Sequence, residues 1–410
     1  MSFARLKSLF HLKDPGPALW LMLGHGATHW VLVTFYLMLP VLTKVFDLSY
    51  AEAGGLVAAY QFGGVSLSLV SGPLVDLTGR RVPFQVVALV VLAAGIASFG
   101  LADEFIVLVM LSWVIGGAAH FWHAPATAFI STHYKENRGY VIGIHGVGSN
   151  MGEAYGSIAA GVLIASLGWQ HASMVISIPT FCCAIAIWIA LMPRDRVHKA
   201  ARQKEMTFRE YLRGMASVLT NPTVIMLYLM VGTRAAAQQL IKTFLPLYMA
   251  HILAMNAVWQ GLALSAMHHG GMVANPIAGV LSDRHGRRRI LVIAFIATAV
   301  IMLGLTIISN PVVFVFGVAV LGFTHYALRP VVQSWMLDAL PEELHGSSVS
   351  LRSATQGLFG VVVPPLGGWV GDVYGLTTVF YLIAVLLLSA NVFVWFIPRR
   401  QVGEATKPAE

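Results

Sequence analysis

Between Pro15 and Ile397 the chain is a succession of apolar runs about twenty residues long, separated by short polar or glycine-containing breaks. That recurrence limits its fold more than any other feature. A helix needs roughly 20 apolar residues to cross about 30 Å of hydrocarbon. Breaking the chain at charged and turn-forming stretches gives spans at 17–42, 50–71, 82–101, 105–131, 140–166 and 169–192. A second set follows at 222–250, 256–281, 289–309, 312–337, 347–371 and 375–397. These use up nearly all of the 410 residues and leave no room for a soluble domain of ordinary size. The composition agrees: 57% of residues are apolar and 11% charged, with a mean hydropathy of +0.74. Soluble domains carry about a quarter of charged residues.

The net charge of +8 would also suit a nucleic-acid binder, but the placement of the charges excludes that partner. With the N-terminus inside, 22 of the 26 Lys and Arg fall on cytoplasmic ends and loops, among them Arg80, Arg81, Arg194, Lys199, Arg287, Arg288 and Arg289. This positive-inside bias predicts a multi-pass protein of the cytoplasmic membrane with both termini cytoplasmic. The basic start, with Arg5, Lys7 and Lys13, precedes a run too long for a signal-peptide core, so that run reads as the first span. Cys182 and Cys183 are adjacent in an apolar run and offer neither a disulfide framework nor a metal-ligand spacing.

The two sets of spans repeat. Gly72, Asp76, Gly79, Arg80 and Arg81 after the second span recur as Gly279, Asp283, Gly286, Arg287 and Arg288 after the eighth, at an offset of 207 residues. The same offset relates Gly161 to Gly368 and Gly168 to Gly375. Internal repeats of this kind are the architecture of secondary transporters, with the solute site at mid-bilayer between the halves. The expected organisation is an N-terminal six-helix bundle at 1–192, a cytoplasmic linker at 193–221, a C-terminal six-helix bundle at 222–398 and a tail at 399–410. The fold class is an all-α membrane protein of twelve transmembrane helices in two pseudo-symmetric halves.

The doubled G-x-x-x-D-x-x-G-R-R pattern in that frame resembles the loop motif of the major facilitator superfamily, over essentially the whole chain. Gly24, His25 and His29 in the first span are similar to the fosmidomycin-resistance branch, as are Phe121 to His123 in the fourth and Gly148 to Gly152 in the fifth. The resemblance implies alternating access, a monomer, a cavity lined by the first, fourth, seventh and tenth helices, and slightly favours export over uptake. It also implies that Gly72, Asp76, Gly79, Arg80 and Arg81, with Gly279, Asp283, Gly286, Arg287 and Arg288, form a conformational latch. Small glycines would allow close helix approach, and the aspartates would accept bonds from a facing helix N-terminus.

Polar residues inside the spans fall at one-turn spacings, which place them on one side of a helix. His25 and His29 share a face in the first span, and His120, His123 and Thr127 share one in the fourth. His145, Ser149 and Glu153 form a stripe in the fifth, Arg234, Gln238 and Lys242 in the seventh, and His325, Arg329 and Gln333 in the tenth. A charge at mid-bilayer costs about 2.5–3.5 kcal/mol on insertion scales, so such stripes face a cavity or a partner. Arg234 and Arg329 outnumber Glu153, and Lys242 adds to the surplus. A small organic anion is therefore the expected substrate, since guanidinium forks suit carboxylate and phosphonate groups. Glu153, His145 and Lys242 are the coupling candidates, with protons as the expected ion.

A His-lined metal-ion carrier is the competing cavity reading, set against which two arginines would repel a cation; no residue is assigned here as a metal ligand. His268 and His269 are adjacent in the eighth span, so one of them faces the cavity. No cofactor is expected, because no G-x-x-x-x-G-K-[ST] loop is present. The histidines scatter over several helices, which argues against an enzyme. A transporter-like sensor would add a signalling domain, and only twelve residues follow Pro398.

Overall fold

The computed structural model describes Leu12 and residues 14–195, 222–338 and 345–397. Among them there is no strand. In chain order the helices are α1 (Gly16–Val45), α2 (Tyr50–Thr78), α3 (Val82–Phe99), α4 (Phe105–Phe121), α5 (His123–His133) and α6 (Arg138–Leu191). After them come α7 (Pro222–His251), α8 (Ala257–His285), α9 (Arg287–Leu305), α10 (Pro311–Asp338), α11 (His345–Tyr374) and α12 (Leu376–Phe396). Residues 196–221 of the expected linker and the tail from 398 lie outside the described residues.

Only Trp122 separates α4 from α5, and together they make the fourth span. The 54 residues of α6 would reach about 80 Å if straight, far more than one crossing needs. The helix instead doubles back at Gly168 (φ 76°, ψ 163°), so its two arms are the fifth and sixth spans. Eight helical stretches are long and apolar enough to cross a membrane. Helices α7, α8 and α11 are not among them.

The repeat is visible in the backbone. Helices α1 and α7 are each 30 residues long, and α2 and α8 are each 29. The positive-φ glycines form two pairs, Gly79 with Gly286 and Gly168 with Gly375, each at the offset of 207. Those turns sit in backbone conformations that a side chain resists, and both halves use glycine for them. Gly72 to Asp76 and Gly279 to Asp283 lie within α2 and α8, which run on to Thr78 and His285. The glycine-to-aspartate part of each motif is thus the last turns of a helix, and Gly79 and Gly286 lie in the turn that follows.

The halves meet through α2 against α11 and the first arm of α6 against α8. Both seams rest on glycines: Gly54 abuts the Pro364 carbonyl, Gly368 abuts that of Tyr50, and Gly161 and Gly261 face each other. Small residues give apolar helices their closest approach. The contacts gather at the end of the molecule that carries Tyr50. There Asp372 of α11 accepts the backbone N–H groups of Tyr50 and Ala51 at 2.7 and 2.9 Å. His251 of α7 adds contacts to Tyr50 (3.2 Å) and Thr43 (3.3 Å). At the opposite end a methyl group on Gly72 or Gly279 would meet nothing within 4 Å. Asp76 and Asp283 are exposed there and form no ion pair among the described residues. The molecule is shut at the Tyr50 end, and among the described residues no helix approaches Gly72 or Gly279 closely.

Within the N-terminal half, α1 and the first arm of α6 interlock through Gly26, Gly148 and Gly152, each against the other helix's backbone carbonyl. Gly148→Ala should destabilise the detergent-purified protein by about 1–3 kcal/mol, the usual cost of overpacking. Gly146→Ala, two residues away and facing nothing within 4 Å, should leave the thermal midpoint unchanged.

Candidate functional site

The glycine seam between α1 and α6 decides which polar groups meet. It lays the ring of His25 over that of His145, with centroids 4.0 Å apart and planes 9° from parallel. His25 Nδ1 donates to the His145 carbonyl at 2.8 Å, and His145 Nδ1 to the Leu21 carbonyl at 3.2 Å. Trp122 packs over Gly24 and so brings His123, the first residue of α5, edge-on to His25 at 5.1 Å. His120 sits one turn earlier in α4, donates to the Gly116 carbonyl at 2.9 Å, and rests against Gly64. The four imidazoles expected from α1 and the fourth span therefore share one surface with His145.

One turn beyond His25, His29 Nδ1 approaches Glu153 Oε1 at 3.0 Å. Glu153 is 6% exposed, and a carboxylate so placed needs partners. Two come from the other half: Lys242 of α7 at 3.4 Å from Oε1 and His268 of α8 at 3.0 Å from Oε2. The Tyr326 hydroxyl lies 3.3 Å from the same nitrogen of His268. Tyr36, Leu32, Val33, Leu264 and Met267 complete a small cavity around Glu153, Lys242 and His268. The carboxylate is thus held between the halves, on the shut side of the molecule. Its partner His268 lies outside the four helices expected to line the cavity. The adjacent His268 and His269 are resolved as their spacing requires: His268 is buried on Glu153, whereas His269 is exposed and bonds to its own helix.

The C-terminal cationic groups surround a second region. Arg234 is 5% exposed and donates from Nη1 to Gln238 Oε1 at 3.0 Å. His325 is 2% exposed, and neither of its ring nitrogens has a hydrogen-bond partner among the described residues. It lies within electrostatic reach of Arg234 and Lys242. Arg329 is exposed and lies within reach of His123 and Tyr326, so its charge faces the imidazoles of the N-terminal half.

Among the described residues, Arg81 and Arg288 of the expected latch have partners inside their own halves. Asp195, just past the end of α6, accepts the backbone N–H groups of Arg81 and Val82 at 3.0 and 2.8 Å and so caps α3. Arg288 lies 4.7 Å over the Trp395 ring and donates to that residue's carbonyl at 3.0 Å, which ties α9 to α12. Arg80 is exposed, and Gly79 and Gly286 form the turns beside these arginines.

Comparison with known proteins follows the same outline. The Major Facilitator Superfamily model matches residues 21–267 and 227–410. The multidrug resistance protein MdtG of Enterobacter lignolyticus is 24% identical over 346 residues, which is 83% of this chain and 80% of that protein. MdtG of Salmonella arizonae is 24% identical over 332 residues, 79% of this chain and 80% of its own. Among solved structures, a bacterial homologue of the human lysosomal transporter Spinster, inward-facing and occupied, superposes with a TM-score of 0.78. That match has 14% identity and covers 97% of this chain and 100% of the other. The nucleoside transporter NupG also gives 0.78, at 11% identity, over 93% of this chain and 100% of its own.

Proposed function

Because this chain belongs to the Major Facilitator Superfamily, and is therefore a multi-pass membrane transporter rather than an enzyme, we propose that it carries a small organic anion across the cytoplasmic membrane by proton-coupled alternating access. The two halves, 1–192 and 222–398, rock about the central site as a monomer, joined by the linker at 193–221. The observation that carries this reading is Glu153, which is buried and clasped across the halves by Lys242 and His268. A proton on Glu153 removes the charge that Lys242 answers and weakens the clasp, so protonation and rocking become one event. The positive-inside bias puts the Tyr50 end outside, and the arrangement is then an inward-facing state with its outer end shut.

The anion follows from the other cations. Glu153 is one carboxylate among Lys242, Arg234 and Arg329, and an anionic solute balances the remaining charge. Relatives named for multidrug resistance favour export as the direction. Arg234→Gln and Arg329→Gln should each weaken binding of carboxylate or phosphonate probes at least tenfold in a thermal-shift titration, while the protein still inserts into the membrane. That is about the 1.5–3 kcal/mol carried by a hydrogen bond to a charged group. Unchanged affinity in both variants would remove the anion.

A further inference from the structure

We propose that His25, His123 and His145 form a binding site for one divalent transition-metal cation of zinc-like chemistry, inside the N-terminal half. The three side chains come from α1, the start of α5 and the first arm of α6, and each offers a ring nitrogen within 4.8 Å of the others. No spacing in the sequence hints at this set. The glycine seam of α1 and α6 and the packing of Trp122 on Gly24 create it.

The hydrogen bonds fix what these rings present. A backbone carbonyl only accepts, so His25 Nδ1 and His145 Nδ1, at 2.8 and 3.2 Å from the carbonyls of His145 and Leu21, both carry their protons. In the neutral rings the Nε2 lone pairs are then unprotonated and available. A carbonyl behind the far nitrogen is the arrangement that orients metal-bound imidazoles and raises their basicity. The His123 ring has contacts with His25 and His120 but no hydrogen bond of its own among the described residues, so its nitrogens are uncommitted.

The donor set chooses the ion. Imidazoles alone suit zinc, cobalt, nickel and copper, and the absence of a carboxylate from the set disfavours calcium and magnesium. Zinc–nitrogen bonds of about 2.0–2.1 Å in a tetrahedron put the nitrogens about 3.3 Å apart. The rings must therefore close by roughly 1–1.5 Å, with the stacked pair swinging out of parallel, to meet a tetrahedral ion. His123 is only partly buried and has room to complete the movement. Three neutral ligands leave the ion its full charge, and its fourth position takes water or an anionic group. All three ligands belong to one half, so the ion does not bridge the halves as Glu153 does.

The test is direct binding to the full-length protein, purified in detergent and stripped with a chelator, using zinc by calorimetry and cobalt by visible absorption. One zinc per chain is expected, with the intense visible bands of tetrahedral cobalt. His123→Gln should weaken zinc at least tenfold, and His25→Ala and His145→Ala should do the same. His171→Ala, on an exposed part of α6, should change nothing. If the seam variants fail to fold, His123→Gln alone decides. Absence of saturable binding at one ion per chain, or undiminished affinity in His123→Gln, would overturn the site. The readout involves neither flux nor a solute, so it stands or falls apart from the transport reading.

Discussion

Glu153→Gln is expected to uncouple transport from the proton gradient while leaving a folded, inserted protein. In proteoliposomes, wild-type solute flux should respond to an imposed pH difference and collapse with an uncoupler. The variant's response should fall at least tenfold, with passive exchange of solute retained. Glu153 faces His29 from α1, Lys242 from α7 and His268 from α8, with Tyr36 and Tyr326 beside the cavity. Glutamine keeps the size and the hydrogen bonds of a protonated glutamate but cannot give the proton back. It therefore mimics one state and forbids the cycle. Breaking a buried ion pair from one side costs about 3–5 kcal/mol, which suffices to reweight two conformations that must lie close in energy. A pH-driven flux in Glu153→Gln equal to that of the wild type would discard the carboxylate as the coupling group.

The helices were legible because a bilayer imposes length and apolarity together. The span expected at 17–42 is α1, Gly16–Val45, and the one expected at 375–397 is α12, Leu376–Phe396. The span expected at 50–71 instead runs to Thr78, because Gly72 and Pro73 look like a turn in sequence but lie within a continuous helix that ends at Gly79. The stripes grouped His25 with His29, and Arg234 with Gln238 and Lys242, along single helices, but they did not say which helices would meet at Glu153. Which of His268 and His269 faces the cavity stayed open for a physical reason. Lipid and protein interior are equally apolar, so hydrophobic periodicity, which marks the buried face of a soluble helix, says little about which way α8 is turned. Ser265, three residues before His268 and four before His269, is one turn from both and does not choose between them. The meeting of His25 with His145 was hidden likewise, since it depends on Gly26, Gly148 and Gly152 letting two backbones touch.

Asp372→Ala is expected to open the Tyr50 end. The resemblance places a carboxylate latch at Asp76 and Asp283, at the end opposite Tyr50. At the shut end a different carboxylate makes the bond described for such a latch: Asp372, from α11, receives both leading N–H groups of α2. The acid meets the positive end of the helix dipole as well as two charge-assisted bonds, and together these contribute about 2 kcal/mol across the halves. Losing them should shift the equilibrium between shut and open forms of the Tyr50 end about thirtyfold toward open. Spin labels on Lys44→Cys in α1 and Ile252→Cys just after α7, both exposed and next to the Thr43–His251 contact, report that separation when Cys182 and Cys183 are replaced by serine. The distance distribution should gain a longer population in Asp372→Ala. Asp372→Asn should show a smaller gain, because one amide oxygen still accepts while the charge is lost. An unchanged distribution in both would mean that the glycine seams alone, Gly54 on Pro364 and Gly368 on Tyr50, hold the end shut.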